Sequence, residues 1–586
     1  MKKILRYLRP YAFIMTVGFI IKIAGTLAEL VLPKTMTYII RSVVPKQSTT
    51  EIILWGLIMM LFAVACLVFN VTANRMAAKV ARNAAEGIRK DLFEKTMSLS
   101  PAQTDRFTIP SLESRLTTDT YNVHHFINMI QRMGVRAPIL LVGGICISLT
   151  LDPILTLVMV CVLPCIALVV YFVSKRGVPL YTKVQKKVDR MVGVVREDVQ
   201  GIRVIKALSK GDYERERYDK VNRDLSETEK KASIAMALTN PLMTFFMNIG
   251  LSCVILVGAF RVNNDLSDAA NILAFIQYFT LISNAMMSIT RIFVMYTKGS
   301  ASAERIAEVL DTPEDLTVIS GEARTGSGRD GKDNKDNKDN SFIEFKDVCF
   351  SYNKKKNNLT NINFGIRRGG SLGIIGATGS GKTTIISLLM RFYDADGGQI
   401  LIDGRDVRTI EKSELGGKFG VAMQNDFLYA DTIEENIRFG RDLPGGHDDI
   451  VRAAKMAQAH DFITAFPEGY EHMLAPKGTN ISGGQKQRIL IARALAARPE
   501  ILVLDDSSSA LDYKTDASLR RAINSSDTPM TLVVVAQRVS SVMNLDNILV
   551  IDDGEEVALG THDELIKSCG IYREISESQL GGALVE

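Results

Sequence analysis

Long apolar runs fill the first half of this 586-residue chain, and polar stretches of very unequal length separate them. Crossing a bilayer takes about 20 predominantly apolar residues, and six runs fit that requirement. The pattern therefore predicts six transmembrane helices. They cover residues 11–32, 52–71, 134–150, 154–173, 234–260 and 270–297.

Two of the connections between these runs are long, polar and patterned like helices. Residues 72–133 and 174–233 are rich in bases, such as Arg75 and Lys79 in the first and Lys175 in the second, whereas the short connections carry few. Because lysine and arginine collect on the cytoplasmic side, we expect both long connections and both chain ends in the cytoplasm. The start of the chain is basic and then apolar, without an early small-residue cleavage site, which predicts a retained membrane helix.

Two charged residues lie inside the first predicted span. Lys22 and Glu29 are seven residues apart, which places them on one face of a helix. Charges at this depth are costly unless they face a partner or a water-filled cavity. Two interpretations stay open: a stripe that contacts substrate in a central cavity, or an ion pair between helices that only fixes their packing.

The composition changes abruptly after the sixth run. Residues 313–341 include a stretch rich in Gly, Asp, Asn and Lys, with KDN in tandem from Lys332 and almost no apolar residue. Such a stretch cannot bury a core and predicts a flexible linker. A plain spacer fits this composition better than a regulatory element. The predicted organisation is a membrane domain over 1–312, this linker, and a second domain over 342–586.

The second domain contains a glycine-rich turn between an apolar strand and an amphipathic helix. Residues 371–390, SLGIIGATGSGKTTIISLLM, hold the pattern G-x-x-x-x-G-K-[ST] in the strand–loop–helix context that a phosphate-binding loop requires. Lys382 would bridge the phosphates, and the Thr383 hydroxyl would bind Mg²⁺. Glycines let backbone N–H groups surround phosphate oxygens at a helix start. The predicted ATP-binding residues of this loop are Gly376, Thr378, Gly379, Ser380, Gly381, Lys382, Thr383 and Thr384.

Two further stretches carry polar residues where such a site needs them. The apolar strand ILVLD ends at Asp505, which suits the second Mg²⁺ anchor of a phosphate-loop enzyme. Upstream, the segment ISGGQKQRILIARAL contains another helix start suited to an anion. Its residues are Ser482, Gly483, Gly484 and Gln485.

These motifs, in this order, resemble those of ATP-binding cassette proteins. With six spans placed before them, the whole chain resembles a half-transporter of the ABC exporter class, of the multidrug type. The resemblance implies a multidomain fold class: an all-α six-helix transmembrane domain followed by an α/β P-loop ATPase domain. It also implies ATP and Mg²⁺ as cofactors. Tyr352 matches the aromatic residue that stacks on adenine. Gln424 matches a catalytic glutamine that senses the Mg²⁺, and the resemblance implies that it binds the metal together with Thr383 and Asp505.

The resemblance extends to segments that link the parts of such exporters. SALD at 509–512 matches the loop that communicates between two cassettes. SLESRLTTDTYNV, from Ser111, and VREDVQGIRVIKAL, from Val195, resemble the cytoplasmic loops. This likeness places short coupling helices near Asp119 and near the turn after Lys206.

Two catalytic positions depart from the family pattern. A Glu usually follows the strand-end Asp, but here the residue is Asp506, whose shorter side chain reaches less far toward an attacking water. A later His is replaced by Gln537, which cannot carry a proton charge. Because the phosphate loop and Asp505 are intact, we expect stable ATP binding and impaired hydrolysis at this chain's own site. The intact SGGQ would complete a second site, so the expected partner is a different half-transporter in a heterodimer.

Composition limits the other possibilities. The chain has 70 Lys+Arg against 65 Asp+Glu, a net charge of +5, which argues against a protein that binds nucleic acid through bulk charge. Seven scattered cysteines without a CxxC pair indicate neither a disulfide framework nor a zinc site.

The leading hypothesis is a multi-pass protein of the inner (plasma) membrane, with its N-terminus and ATP-binding domain in the cytoplasm. It would work in the lipid bilayer and export a small amphiphilic substrate, which could be a drug, a lipid or a peptide-like molecule. The alternative is a regulatory subunit that senses ATP and gates a partner with little turnover. The six spans exclude a soluble DNA-repair or translation ATPase. An importer is disfavoured because its spans and cassettes usually lie on separate chains.

Overall fold

The chain forms two compact units. The first comprises Met1–Ser98 and Phe107–Thr312, and the second comprises Leu99–Arg106 and Pro313–Glu586. Residues 320–340, most of the predicted linker, lie outside the described residues. The computed structural model describes residues 3–319, 341–354, 356–424, 426–507, 511–525 and 529–580.

The described residues of the first unit form helices joined by short turns, and none of them forms a strand. Its longest helix, Thr49–Ser98, has 50 residues. It extends about 75 Å at 1.5 Å per residue, far beyond the roughly 30 Å of a bilayer's hydrocarbon core. The long polar connections are therefore continuations of the membrane helices. The helices of this unit are Ile4–Leu8, Ala12–Tyr38, Thr49–Ser98, Ile109–Ser114, Thr120–Leu151, Pro153–Gln200, Ile202–Ala207, Gly211–Ala237, Thr239–Asn263 and Ala269–Leu310.

Five helical segments of the described chain are long and apolar enough to cross a membrane. The span predicted at 154–173 lies at the start of the helix Pro153–Gln200, where Pro153–Val169 is a shorter apolar stretch. The predicted helical membrane domain is confirmed. The predicted fifth span, 234–260, differs most clearly at its start, because its helix begins at Thr239, after a break at Leu238. The five segments are Ile4–Lys46, Thr49–Ser98, Ile109–Leu151, Pro241–Asn263 and Ala269–Leu310.

The two charged residues of the first span have separate partners. Glu29 accepts hydrogen bonds from Arg136 Nε at 3.1 Å and from Arg136 Nη2 at 2.6 Å. The Lys22 ammonium donates to the side-chain oxygens of Asn70 and Asn74, at 2.8 and 3.1 Å. An ion pair between helices therefore exists, but it joins Glu29 to Arg136 and leaves Lys22 among amides.

A short helix, Ile109–Ser114, lies shortly before Asp119, near one of the two expected coupling helices, and its coupling role stays a prediction. Asp119 is 1% exposed and accepts hydrogen bonds from Ser302 Oγ and Arg305 Nε, each at 2.8 Å. It is therefore held inside the first unit, because its carboxylate pairs with residues of that unit. The segment Leu99–Arg106, which carries most of a further helix, Pro101–Phe107, groups with the second unit instead. In the second long connection, a short helix, Ile202–Ala207, lies where one was expected.

The second unit contains a sheet of ten strands in order β5-β4-β1-β2-β10-β9-β3-β8-β7-β6. The strands are β1 Ser341–Phe350, β2 Leu359–Arg367, β3 Ser371–Gly376, β4 Gly397–Ile402, β5 Arg405–Asp406, β6 Phe419–Ala422, β7 Ile501–Asp505, β8 Thr531–Val535, β9 Asn547–Asp552 and β10 Glu555–Gly560. Neighbours from β9 to β6 pair in parallel, whereas β1 pairs antiparallel with β2 and β4. Every residue of β7 and β8 is buried, as expected of parallel strands covered on both faces.

Helices between the parallel strands complete the predicted α/β architecture, which is confirmed. Since parallel strands of one sheet end on the same edge, the loops after β3, β8, β7 and β6 all open there, which is where α/β proteins bind ligands. The helices of the second unit are Lys382–Leu389, Lys412–Lys418, Ile433–Arg438, His447–Met456, His460–Thr464, Gly483–Ala496, Tyr513–Asn524, His562–Ser568 and Gly570–Leu580.

A buried arginine joins three segments of the second unit. Arg493 is 7% exposed, and it donates from Nε to Asn436 O at 2.7 Å and from Nη1 to Phe427 O at 2.8 Å. We expect Arg493→Met to lower the free energy of unfolding of this unit by about 3 kcal/mol, because buried acceptors would lose their donors. Chemical denaturation of the full-length protein measures the change. Arg405→Met removes an exposed partner of Glu414 and should cost less than about 1 kcal/mol; equal losses would contradict the prediction.

Candidate functional site

Four neighbouring parallel strands deliver polar residues to one edge of the sheet. The glycine-rich loop follows β3, and residues at the ends of β6, β7 and β8 face the same cleft of about 310 Å³. The structure thus brings together most of the predicted site residues. Those that line the cleft are Tyr352, Thr378, Gly379, Gly381, Lys382, Thr383, Thr384, Gln424, Asp505, Asp506 and Gln537.

Glycine is required at two positions of the loop. A Cβ on Gly376 would lie 2.0 Å from Ile551 O, and a Cβ on Gly381 would lie 2.7 Å from Leu359 Cδ2. Gly381 also has a φ of +103°, a conformation that other residues rarely adopt. The loop therefore packs tightly on the sheet just before the helix Lys382–Leu389. Its N–H groups can face an anion at the helix start, where the dipole favours negative charge.

Lys382 is held at the centre of this loop. Its ammonium donates to Gly376 O at 2.9 Å and to Ala377 O at 2.7 Å. Burial lowers the pKa of Lys382, while the nearby charges of Asp505 and Asp506 oppose that shift. A cation fixed inside a loop of N–H donors provides the charge-assisted contacts that phosphate oxygens need.

Asp505 and Thr383 place oxygen atoms in the cleft that are suited to a divalent cation. Asp505 is 2% exposed, and its Oδ2 is buried without a hydrogen-bond partner among the described residues. Burial raises the pKa of Asp505, more than the hydrogen bond from the Thr383 side chain lowers it. A buried carboxylate oxygen without a donor is costly unless a cation satisfies it. Carboxylate and hydroxyl oxygens are ligands that Mg²⁺ accepts, so these residues fit the predicted metal.

Two amides hold the carboxylate of Asp506. Gln424 Nε2 donates to Asp506 Oδ2 at 3.0 Å, and Gln537 Nε2 donates to the same oxygen at 3.1 Å. The backbone of Asp506, which follows β7, has a φ of +49°. Its N–H donates to Val535 O at 2.8 Å, and this bond ties the residue to the neighbouring strand β8. A general base must accept a proton from water within hydrogen-bond reach. In this site, one of the two carboxylate oxygens that could accept that proton, Asp506 Oδ2, already accepts hydrogen bonds from two neutral amides.

An aromatic cluster flanks the cleft. Tyr352 packs edge-on against Phe350 and Tyr393, with ring centroids 4.8 and 5.1 Å apart, and its hydroxyl donates to Thr384 Oγ1 at 3.3 Å. Asn358 also lines the cleft and accepts a hydrogen bond from the Tyr352 N–H at 3.1 Å. Sequence reasoning missed Asn358. The sequence feature that could have indicated it is the polar turn NKKKNN between two strands, which ends at this Asn, since Asn side chains often stabilise turns.

The SGGQ segment does not line this cleft. Ser482 caps the helix Gly483–Ala496: its Oγ accepts from the Gln485 N–H at 3.3 Å, and Gln485 Oε1 accepts from the Ser482 N–H at 2.9 Å. Ser482 and Gly483 are exposed, and Gly484 is half-buried. The start of this helix is therefore an exposed surface that favours negative charge. Among the loop residues, Gly376 and Ser380 support the cleft without lining it, and residues 508–510 lie outside the described chain.

Known proteins resemble this chain over nearly its whole length. The family described as ABC transporter transmembrane region matches residues 15–286, and the family described as ABC transporter matches residues 359–509. The uncharacterized ABC transporter ATP-binding protein YfiB of Bacillus subtilis (strain 168) is 34% identical over 582 residues, 99% of each chain. The similarly described Mb1304c of Mycobacterium bovis is 31% identical over 99% of this chain and 98% of its own.

A solved structure shares the fold. It is described as a bacterial Atm1-family ABC exporter with ATP bound, and the match covers 99% of both chains with a TM-score of 0.80. The two sequences are 21% identical. At that level the likeness concerns the fold alone.

Proposed function

This chain belongs to the ABC transporter family, and from that premise we propose that it is one half of an ATP-driven exporter. The transmembrane region and the ATPase domain lie on one chain, as in the exporter whose fold it shares. Such a half would take a small amphiphilic substrate from the cytoplasmic side and release it outside by alternating access. The bases of the long connections support a cytoplasmic N-terminus and ATPase domain in an inner (plasma) membrane protein.

We propose ATP with Mg²⁺ as the nucleotide held in the cleft. Lys382 and the glycine-rich loop would hold the phosphates, and Tyr352 would flank the adenine. Thr383 and Asp505 would hold Mg²⁺, which bridges phosphate oxygens and offsets their charge when bound. The support is that the loop and the buried, unpaired Asp505 oxygen share one cleft.

Hydrolysis at this site is proposed to be impaired. The observation that carries the proposal is the pair of hydrogen bonds that Gln424 and Gln537 donate to Asp506 Oδ2. Asp is one methylene shorter than the Glu of the family pattern, so its carboxylate would stop short of a water at the γ-phosphate. Gln537 supplies a neutral donor but no titrating group. The site would hold ATP and turn it over slowly.

Slow hydrolysis at this chain's own ATP site favours a different half-transporter as the partner. In the family arrangement, each nucleotide lies between the phosphate loop of one subunit and the SGGQ segment of the other. The exposed start of the helix at Ser482 supports a role in the partner's site, because the segment does not line this chain's own cleft. A homodimer would contain two slow sites, whereas a heterodimer would contain one competent site completed by Ser482.

The full-length chain, purified alone, should bind ATP with Mg²⁺ but hydrolyse it at least about a hundredfold more slowly than a site with a well-placed base.

Lys382→Ala should weaken ATP binding by about tenfold or more, because it removes a charge from the phosphates. Equilibrium binding and steady-state phosphate release measure the two effects. Lys412→Ala, at an exposed lysine outside the loop, is the matched control. Brisk turnover by a verified homodimer would disprove the impaired site, and unchanged binding by Lys382→Ala would disprove the ATP site.

The second candidate is a regulatory subunit that senses ATP and gates its partner. It is favoured by the same hydrogen-bonded Asp506, since a sensor needs bound nucleotide and little turnover. Reconstitution with the partner in liposomes separates the two functions. An exporter half is required for ATP-driven substrate movement, whereas a gating subunit changes the activity of its partner without being needed for transport itself.

A further inference from the structure

Three bases and one acid gather among the membrane helices of the first unit. The acid and one base lie on the helix Ala12–Tyr38, and the other two bases lie on Thr120–Leu151. Both helices pack against Thr49–Ser98, which supplies amide partners for the base on Ala12–Tyr38. Charged groups inside a membrane domain are costly and usually mark a functional site. The cluster comprises Lys22, Arg132, Arg136 and Glu29, and three cations less one anion leave a net charge of +2.

Lys22 has amide partners and no acid. It is 4% exposed, and its ammonium donates to the side-chain oxygens of Asn70 and Asn74. In the part of the chain that the structure describes, no carboxylate forms an ion pair with it. Asn70 is itself oriented, because its Nδ2 donates to Cys66 O at 2.9 Å. Amides solvate the ammonium, and Glu29 acts on it without a direct contact, so its charge is offset only in part in a setting of low dielectric constant.

A glycine brings the two helices around Lys22 close together. A Cβ on Gly25 would lie 3.0 Å from Phe69 Cβ and 3.1 Å from Asn70 Nδ2, so a larger residue would push the helices apart. This close approach holds Asn70 beside Lys22. The cation is therefore fixed by packing and not by the chance position of a mobile side chain.

Arg136 and Arg132 form the accessible part of the cluster. Glu29 pairs with Arg136, yet the Arg136 side chain stays 42% exposed. Arg132 lies four residues earlier, hence on the same helical face, and it is exposed. The charges of both arginines act on Lys22. The three bases therefore share one electrostatic field, which the single acid offsets only in part.

We propose that this cluster binds the anionic headgroup of the transported amphiphile: a carboxylate, phosphate or sulfonate. The proposal rests on the export function proposed for the chain and narrows its substrate class. Arg132 and Arg136 hold the headgroup through charge-assisted hydrogen bonds, and Lys22 behind them adds positive potential. The same field disfavours amphiphiles with a cationic headgroup. The anion is either a free amphiphile or the headgroup of a membrane lipid.

The proposal is tested by measuring how tightly dodecyl phosphate binds to the full-length protein in phosphatidylcholine nanodiscs. Dodecyltrimethylammonium, which has the same alkyl tail and a cationic headgroup, is the comparison. Dodecyl phosphate should bind more tightly than the cation. Arg132→Gln should weaken its binding by about tenfold or more, and Arg132→Lys should retain most of it. Lys79→Gln removes an exposed cation elsewhere on the helix Thr49–Ser98 and should change nothing. The double variant Glu29→Gln/Arg136→Gln removes the ion pair without leaving a lone acid, and it should also bind more weakly.

Nanodiscs in which phosphatidylglycerol replaces part of the phosphatidylcholine identify the source of the anion. Displacement of dodecyl phosphate by the anionic lipid, reduced in Arg132→Gln, supports the site and assigns it to a lipid headgroup. Tight binding without such displacement supports the site and assigns it to a free amphiphile. Equal binding of the two probes, or dodecyl phosphate binding that every variant retains, would overturn the proposal. ATP binding by the same protein, together with ATP-driven transport of another amphiphile by the heterodimer in liposomes, would then show that only the substrate class is wrong and that the export function stands.

Discussion

Ser482→Arg is expected to reduce ATP hydrolysis by the assembled transporter by at least about a hundredfold. In the proposed heterodimer, Ser482 faces the nucleotide held by the partner. There its hydroxyl and the N–H groups of the helix start would stabilise charge on the transferring phosphate, and losing one such donor costs about a hundredfold to a thousandfold. An arginine would in addition fill the space that the phosphates need. Steady-state phosphate release, measured with the partner present, gives the result.

Loss of the helix cap is a separate effect of this substitution and needs its own control. Ser482 accepts from the Gln485 N–H at the start of the helix Gly483–Ala496, and such a cap contributes about 1 kcal/mol. Ser482→Asp keeps a capping oxygen but sets a negative charge toward the phosphates, so it should be similarly inactive. Asp506→Asn is the matched change at this chain's own site and should leave most of the turnover. If Asp506→Asn proves more damaging than Ser482→Arg, the proposed division of labour is wrong.

The double substitution Asp506→Glu/Gln537→His should raise the ATPase rate of the full-length chain, purified alone, by about a hundredfold or more, the usual contribution of a placed general base. Glutamate carries the carboxylate one methylene farther toward the attacking water. Removing Gln537 also takes away one of the two donors on that carboxylate. Histidine supplies a side chain that titrates near neutral pH. Phosphate release at saturating ATP measures the rate.

Gln537→His alone is the control for the double variant, because it leaves the carboxylate of Asp506 at its original length. It should raise the rate far less. ATP binding must stay equal in all three proteins, so that a change in rate reports on the chemical step. An unchanged rate in the double variant, with ATP binding intact, would mean that slow turnover has a different cause.

Length and apolar content predicted the membrane helices because a helix in lipid needs a continuous apolar surface. They did not predict the break at Leu238 because they overlooked Pro241, which has no N–H to donate to the carbonyl of Ala237 and disfavours a continuous helix there. Nor did they predict that Leu99–Arg106 groups with the second unit. That grouping depends on tertiary packing, which a local pattern does not contain.

The site was predicted in its parts and not in its contacts. Gln424, Asp506 and Gln537 each follow an apolar strand, a pattern visible in the sequence. That they meet depends on β6, β7 and β8 being neighbours, and strand order is a property of the fold. The two hydrogen bonds to Asp506 Oδ2 therefore required the structure. The same holds for the pairing of Glu29 with Arg136, since these residues belong to helices far apart in the chain.

Vanadate trapping of a photoreactive azido-ATP in the assembled heterodimer tests the impaired site most directly. Vanadate retains the diphosphate only at a site that has already cleaved its nucleotide, and illumination then attaches the label to the subunit whose phosphate loop holds it. We predict that label trapped with vanadate lies on the partner, while illumination in the cold without hydrolysis labels both subunits. Trapped label on this chain at a level equal to or above that on the partner would show that its own site hydrolyses ATP and would contradict the account.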